Sequence, residues 1–467
     1  MKHSISRTPG FYRGLWKLSL PLVLQNLITF SLGLMDTFMV SQLGNQEMAA
    51  VTTAGAPAFL LMSIVFGAQS GLGVLVSQYW GKGDTRSINR AFGVSCIIGG
   101  GLNLLLAIIF AAFPVQVMDL LSNRHELSLL GAPYLRIVGF SYVFNMISSL
   151  YTSVQRHVEN AAFGMKLFGF STVLNTFLNY LLIFGKFGCP ALGVAGAAWA
   201  TLLARIAECL ICVVCAFRSR NVPLELLYFL RPGWDMARRF VKYASPVIVH
   251  ETLWGLGTSM ATVILGYTAN SVEMLAANAV MGNLNRLFLV TCFGLGAATG
   301  VLVGKAVGEG RSHEAIMDLG QTLLRFATLV GAGIAVVTVL LIPIFFRPVV
   351  FPMFKLYGES AAIATTMAVV NFGTIPVQAY AISAITGVLR CGGDVFWSTV
   401  LDIAPQWLIG LPLMALFALI LGGNIWLIAL SMQMENLIKT PLSLLRVRSG
   451  KWIRDVTLPT PGKGDAL

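Results

Sequence analysis

Charge is scarce in this chain. Asp, Glu, Lys and Arg make up only 11% of 467 residues, while 56% are hydrophobic; a soluble domain carries about 25% charged residues. With a mean hydropathy of +0.77, so much apolar surface has no aqueous home and needs lipid. Catalytic signatures are missing too. There is no HExxH, no nucleophile elbow and no acidic metal pair at catalytic spacing, so nothing supports a membrane enzyme. The seven cysteines build no disulfide framework. Cys209, Cys212 and Cys215 do form a CxxCxxC string, but within an apolar run that offers no nearby fourth ligand. Thiolates there would be costly to desolvate, so these are expected to be packing or lipid-facing side chains. No cleavable signal peptide is expected, because the first apolar run is too long and no small-residue cleavage site follows it.

What the chain has in abundance is apolar runs long enough to cross a bilayer, about 20 residues each. Twelve are expected, near 15–40, 52–77, 91–115, 131–155, 163–186, 193–217, 241–268, 274–304, 319–345, 362–388, 396–420 and 423–446. The net charge of +12 suggests nucleic acid until the basic residues are sorted by loop. Twenty-five of the 32 Lys and Arg fall on one side, among them three at 79–90, six at 218–242, Arg390 and six in the C-terminal tail. Five fall on the other (Arg124, Arg136, Lys186, Arg347, Lys355), and Arg205 and Arg286 lie within apolar runs. That asymmetry is the positive-inside rule. It predicts cytoplasmic termini, external loops near 124 and 355, and no nucleic-acid partner. By the same reading Ser122 and Glu359 face outward and Gly83 inward.

The chain also repeats itself. "VLVSQYWGKGD" (74–84) returns 227 residues later as "VLVGKAVGEGR" (301–311), and "STVLN" (171–175) as "STVLD" (398–402). Six spans per half is an even number, so the halves are parallel repeats. The expected fold is an all-α integral membrane protein, twelve transmembrane helices in two six-helix lobes related by a pseudo-two-fold axis along the membrane normal. The lobes are expected at 1–217 and 241–446, joined by a cytoplasmic linker at 218–240 and followed by a cytoplasmic tail at 447–467. Such a plan places substrate between the lobes and supports alternating access; nothing resembles a channel's selectivity filter. "GKGD" and "GEGR" then read as helix ends, their glycines allowing tight turns, rather than as phosphate loops, whose GxxxxGK[ST] spacing is absent. Gly67, Gly71, Gly296, Gly300 and Gly304 read as small-residue contacts between helices.

Several segments, in order, resemble the multidrug and toxic compound extrusion (MATE) family: "LSLPLVLQNLITFSLGLMDTFMVSQLG" (18–44), "VSQYWGKGD" (76–84), "VLNTFLNYLLIFG" (173–185), "VAGAAWAT" (194–201) and "LRCGGD" (389–394). The resemblance covers nearly the whole chain. It implies a secondary antiporter of a bacterial inner membrane, expected as a monomer, in which a proton or sodium gradient drives export of amphipathic, often cationic compounds without a cofactor. An alternative in the same broader superfamily is flipping of lipid-linked precursors or polar lipids, whose carriers tend to line the cavity with arginines.

Ionisable groups in the bilayer core are costly and usually line a cavity or ion path. Those here are Asp36, Arg205, Glu208, Glu251, Arg286 and Asp402. On the repeat template Glu251 aligns with Asn26, Asp402 with Asn175 and Asp36 near Ala261, so each half places its acids differently. The resemblance gives Asp36 to a cation site in the first lobe, continued by Asn175, Asn179 and, more weakly, Thr201; Gln25 belongs to the same first-span motif. A second carboxylate is missing there, since the family's Asn-x-x-x-Asp reads Asn175-x-x-x-Asn179. Glu251 matches the glutamate of family members with a cation site in the second lobe, but the usual aspartate partner falls near Pro376. Asp402 or His250 are candidates to replace it. Sodium, at Asp36 or Glu251, wants several oxygens. A lone buried carboxyl suits a proton, because burial disfavours its charged form; proton coupling is therefore favoured. Arg205 and Glu208, three apart, can neutralise one another, and Arg286 can do the same with Glu251 or Asp402. His157 and Glu159 replace the glycines expected in the turn after span 4 and are expected in solvent.

Overall fold

In a computed structural model, residues 8–120, 125–268, 270–421 and 424–458 are described. Ser122 and Arg124, assigned to an external loop, lie outside these residues, as does the tail beyond 458. The described residues are helical, with no strand among them. The helices follow the apolar runs: span 1 Pro9–Ser41, span 2 Asn45–Lys82, span 3 Thr85–Ala112, span 4 His125–His157, span 5 Ala161–Phe184 and span 6 Gly193–Arg218. In the second half, span 7 is Trp234–Gly266, span 8 Ser271–Gly308 and span 9 His313–Leu341 with a π-helical continuation Ile342–Val350. Span 10 is a pair, Gly358–Gly373 and Ile375–Leu389, bent by 47°. Span 11 runs from Val395 to Ile420 with two π-helical stretches, and span 12 is Ile425–Arg448.

Among the described residues ten helices are long and apolar enough to cross a membrane, and the bent pair makes an eleventh. Span 12 is long enough, at 24 residues, but Gln433, Glu435, Asn436 and Lys439 lower its apolar character. The chain is a multi-pass membrane protein.

The repeat is visible in its turns. Gly83 (φ +72°) and Gly310 (φ +67°) hold the same left-handed conformation after spans 2 and 8, which only glycine adopts without strain. Asp84 then caps span 3, its Oδ1 accepting from the Ser87 N–H at 3.0 Å, and Ser312 caps span 9 by accepting from Ala315. A side-chain cap of this kind contributes about 1 kcal/mol. Helix faces meet through the glycines. A Cβ at Gly71 would lie 2.6 Å from Ala244 Cα, and one at Gly300 would lie 2.7 Å from Cys391 Sγ. His157 is not in solvent as expected: it is 7% exposed, its Nδ1 lies 2.8 Å from the Ser153 carbonyl, and its ring fills the space left by Gly73. Gly73 and Gly300 are repeat partners, so histidine plays in one half the filling role that Cys391 plays in the other. Glu159 is exposed as expected, at φ +65°.

The chain divides into two compact units: Leu20–Val249, and the residues up to Ser19 together with those from His250 onward. These limits lie at the interiors of spans 1 and 7, whereas the expected lobes are divided in the 218–240 segment. In the first unit, Leu61, Phe110, Met118 and Leu135 form one core and Met39, Val40, Ile183 and Ala197 another. In the second, Phe346, Phe351, Met367, Phe372 and Ile375 form the centre of a larger core. Loss of one such buried side chain to alanine costs about 2–5 kcal/mol.

Candidate cation and substrate sites

Four of the expected residues of the first unit converge. Asn175 and Asn179 are one turn apart on span 5, so their amides share a face. Asn179 Nδ2 donates to Asp36 Oδ1 at 2.6 Å and to Asn175 Oδ1 at 3.0 Å. Asn175 Nδ2 donates to Thr201 Oγ1 at 3.4 Å, and that hydroxyl donates to the Ala197 carbonyl on its own helix. The result is a chain of neutral groups ending on one half-buried carboxylate. Asn179 Oδ1 is buried with no hydrogen-bond partner. Gln25 does not join this group. It lies eleven residues before Asp36 on the same helix, about 16 Å along the axis, buried beside Gly164 and Thr152. Arg205 and Glu208 form the expected self-neutralising pair, at 2.7 Å, with Ser171 also donating to Glu208.

In the second unit the structure brings together the residues that the sequence left as alternatives. His250 Nε2 lies 2.7 Å from Asp402 Oδ2, and His250 Nδ1 lies 3.3 Å from Glu251 Oε1. Arg286 pairs with neither acid; it is exposed on span 8 and has no ion pair among the described residues. The cation that does reach Asp402 is Lys439, whose Nζ donates to Oδ1 at 2.9 Å and lies 3.7 Å from Glu435. Lys439 corrects the charge count. Sorted with the cytoplasmic tail, it is in fact buried in span 12 at 7% exposure; Arg390, sorted with a cytoplasmic turn, is buried too.

Span 12 also carries a polar seam not expected from the sequence. Gln433 Nε2 donates to Asn371 Oδ1 at 2.7 Å, Asn436 donates to Gln433, and Gln378 donates to Thr374. Thr374 sits at the bend of span 10, just before Ile375-Pro376, where proline removes a backbone donor. The seam supplies polar partners where the helix is interrupted, as a break within a membrane requires. Its signal was present as the string "QMENLIK" (433–439), four polar residues inside an otherwise apolar run.

No group of three or more His, Cys, Asp or Glu side chains is placed to hold a metal ion among the described residues. The first unit offers one carboxyl group among amides and a hydroxyl; the second offers carboxyl groups already in contact with Lys439 and His250.

The MatE family model matches residues 21–181 and 246–416, one match in each half. A probable multidrug resistance protein NorM of Thermotoga maritima is 23% identical over 464 residues, covering 96% of this chain and 95% of its own. The probable multidrug resistance protein YoeA of Bacillus subtilis is 24% identical over 410 residues, 86% of each. Among solved structures, a MATE in complex with MaL6 superposes with a TM-score of 0.83 at 18% identity, over 94% of this chain and 96% of that one. With the family match spanning both halves and the whole architecture shared, this chain belongs to the MatE family of membrane transporters.

Proposed function

We propose that the chain is a secondary multidrug antiporter that exports amphipathic, mostly cationic compounds in exchange for protons, by rocker-type alternating access. The names of its relatives support efflux of drugs, and one observation supports the proton: Asp36 is held by an amide and, among the described residues, by no ion pair. An ionised carboxylate only accepts hydrogen bonds and a protonated one also donates, while an amide does both. Asn179 can therefore serve Asp36 in either state by turning its amide over. A sodium ion would need several oxygens turned inward, whereas Asn179 here presents its N–H groups to both Asp36 and Asn175. In the second unit Lys439 and His250 stand where a bound cation would otherwise neutralise Asp402.

The positive-inside distribution supports a bacterial inner-membrane location with both termini cytoplasmic. Acids also favour cationic cargo over the lipid-linked precursors of the flippase alternative, because Arg205 is tied to Glu208 and, of the two arginines within apolar runs, Arg286 alone has no ion pair among the described residues. The test is ethidium efflux from proteoliposomes under an imposed proton gradient or sodium gradient, applied separately. Efflux is expected with protons alone; efflux driven by sodium and indifferent to protons would overturn the coupling assignment.

A further inference from the structure

We propose that the second unit binds the headgroup of an anionic phospholipid in a groove between spans 9, 10 and 12. The groove encloses about 450 Å³, within the roughly 300–1,000 Å³ range of small-molecule sites. Its walls are apolar, from Leu324 and Leu329 on span 9 and Leu444 and Val447 on span 12. Its charged groups are of one sign, beside the uncharged polar Gln321 and Thr328. Arg325 and Arg448 line it, both exposed and neither in an ion pair among the described residues. The nearby cations Arg446 and Arg454 are instead taken up by Asp394. Tyr380 also lines the groove, and its hydroxyl oxygen is buried with no hydrogen-bond partner. A phosphodiester meets these requirements: the guanidinium fork matches its two free oxygens, and the phenol has a donor to give.

Depth points to lipid as the source of that phosphate. Phe326, next to Arg325, packs against Tyr12 and Trp16 with ring centroids 5.7 Å apart in each case. Tyr and Trp gather at the level of the headgroups. Arg448 is the last residue of span 12, and basic pockets between membrane helices are suited to anionic headgroups. The leucine walls would take the start of an acyl chain, for which free phosphate has no equivalent. Two unpaired arginines would repel the organic cations proposed as cargo. The inference rests on the chain being a membrane protein and is independent of the coupling ion.

The test is native mass spectrometry of the full-length protein after detergent exchange, with phosphatidylglycerol or phosphatidylcholine added, compared with Arg325→Gln/Arg448→Gln. The parent is expected to retain phosphatidylglycerol selectively. Each basic side chain near an anionic surface contributes roughly a factor of five, so the double variant should bind it about 25-fold more weakly. Arg325→Lys/Arg448→Lys, which keeps both charges but not the forks, should bind more tightly than the glutamine variant and less tightly than the parent, and guards against a fold defect in the glutamine variant. Equal retention of the two lipids by the parent would overturn the proposal without any variant. So would unchanged retention by Arg325→Gln/Arg448→Gln, displacement by millimolar inorganic phosphate, or displacement by ethidium, which would make the groove a substrate site.

Discussion

In the first unit, Asp36 is the carboxylate at the end of a chain of amides and a hydroxyl. In the second, Asp402 touches His250 on one oxygen and Lys439 on the other, with Glu251 and Glu435 at the edges. Both arrangements are drawn on one template. The anchor that aligns Pro21 with Pro246 sets Gln25 against His250 and Asn26 against Glu251; the 227-residue offset sets Asn175 against Asp402. Template positions that hold amides in one half thus hold ionisable groups in the other. The second unit invests its charge in a buried network that holds itself together, which a low-dielectric interior tolerates only when every partner is in place. The first keeps one carboxylate with no ion pair among the described residues, and such a group must find its counterion elsewhere or carry a proton.

This contrast predicts that the two units fail in different ways. The largest effect is expected from Lys439→Met, which strands Asp402 among buried groups with only His250. Removing one member of a buried pair typically costs about 3–5 kcal/mol, to be read from unfolding in mixed detergent. Lys439→Met/Asp402→Asn should recover most of that loss. A single variant as stable as the parent would mean that Lys439 does not neutralise the network, and the contrast between the units would collapse.

Asp36→Asn is expected to behave in the opposite manner: folded and stable, yet with ethidium efflux reduced to that of protein-free vesicles. An amide accepts the Asn179 N–H as the carboxylate does but cannot exchange a proton. Efflux at the parental rate would remove Asp36 from the mechanism. Glu251→Gln tests the milder end of the same idea. Its contact with His250 is 3.3 Å and the histidine remains tied to Asp402. Loss of one charged contact of about 1 kcal/mol slows transport by roughly fivefold. Complete loss of efflux in Glu251→Gln with the fold intact would move the coupling site into the second unit.

The course of the helices was legible because lipid leaves few choices. A run of 20 apolar residues bounded by charged turns can only be a span, and a repeated "GKGD"/"GEGR" marks where two of them end. The Asp36 group was legible because Asn175 and Asn179 stand a turn apart in an apolar helix where amides are conspicuous. Lys439 escaped for a physical reason. Near the end of the last span, it was indistinguishable by position from the basic residues that flank membranes, and only the packing of span 12 on span 11 reveals its partner. The π-helical stretches after Leu341 and Pro405 were also beyond reach. Proline signals a disturbance, but whether a helix bends, as at Thr374, or widens, as after Pro405, depends on its neighbours.

The most discriminating effect is expected from Asn179→Asp, which would give the first unit the second carboxylate it lacks. A unit negative charge about 4 Å from a bound cation attracts it by roughly 4 kcal/mol at an effective dielectric of 20. Much of that is offset, because the new group would face Asp36 across a contact that is now 2.6 Å, and two carboxylates so close resist joint ionisation. A net gain of about 1.4 kcal/mol, or tenfold in sodium affinity, is the expected remainder. Sodium-dependent tryptophan fluorescence of the purified protein and the variant measures it directly. The parent should respond weakly, and the variant at sodium concentrations about tenfold lower. Strong binding by the parent in the millimolar range, lost in Asp36→Asn, would show that the neutral amides already suffice for sodium and that the proton assignment is mistaken.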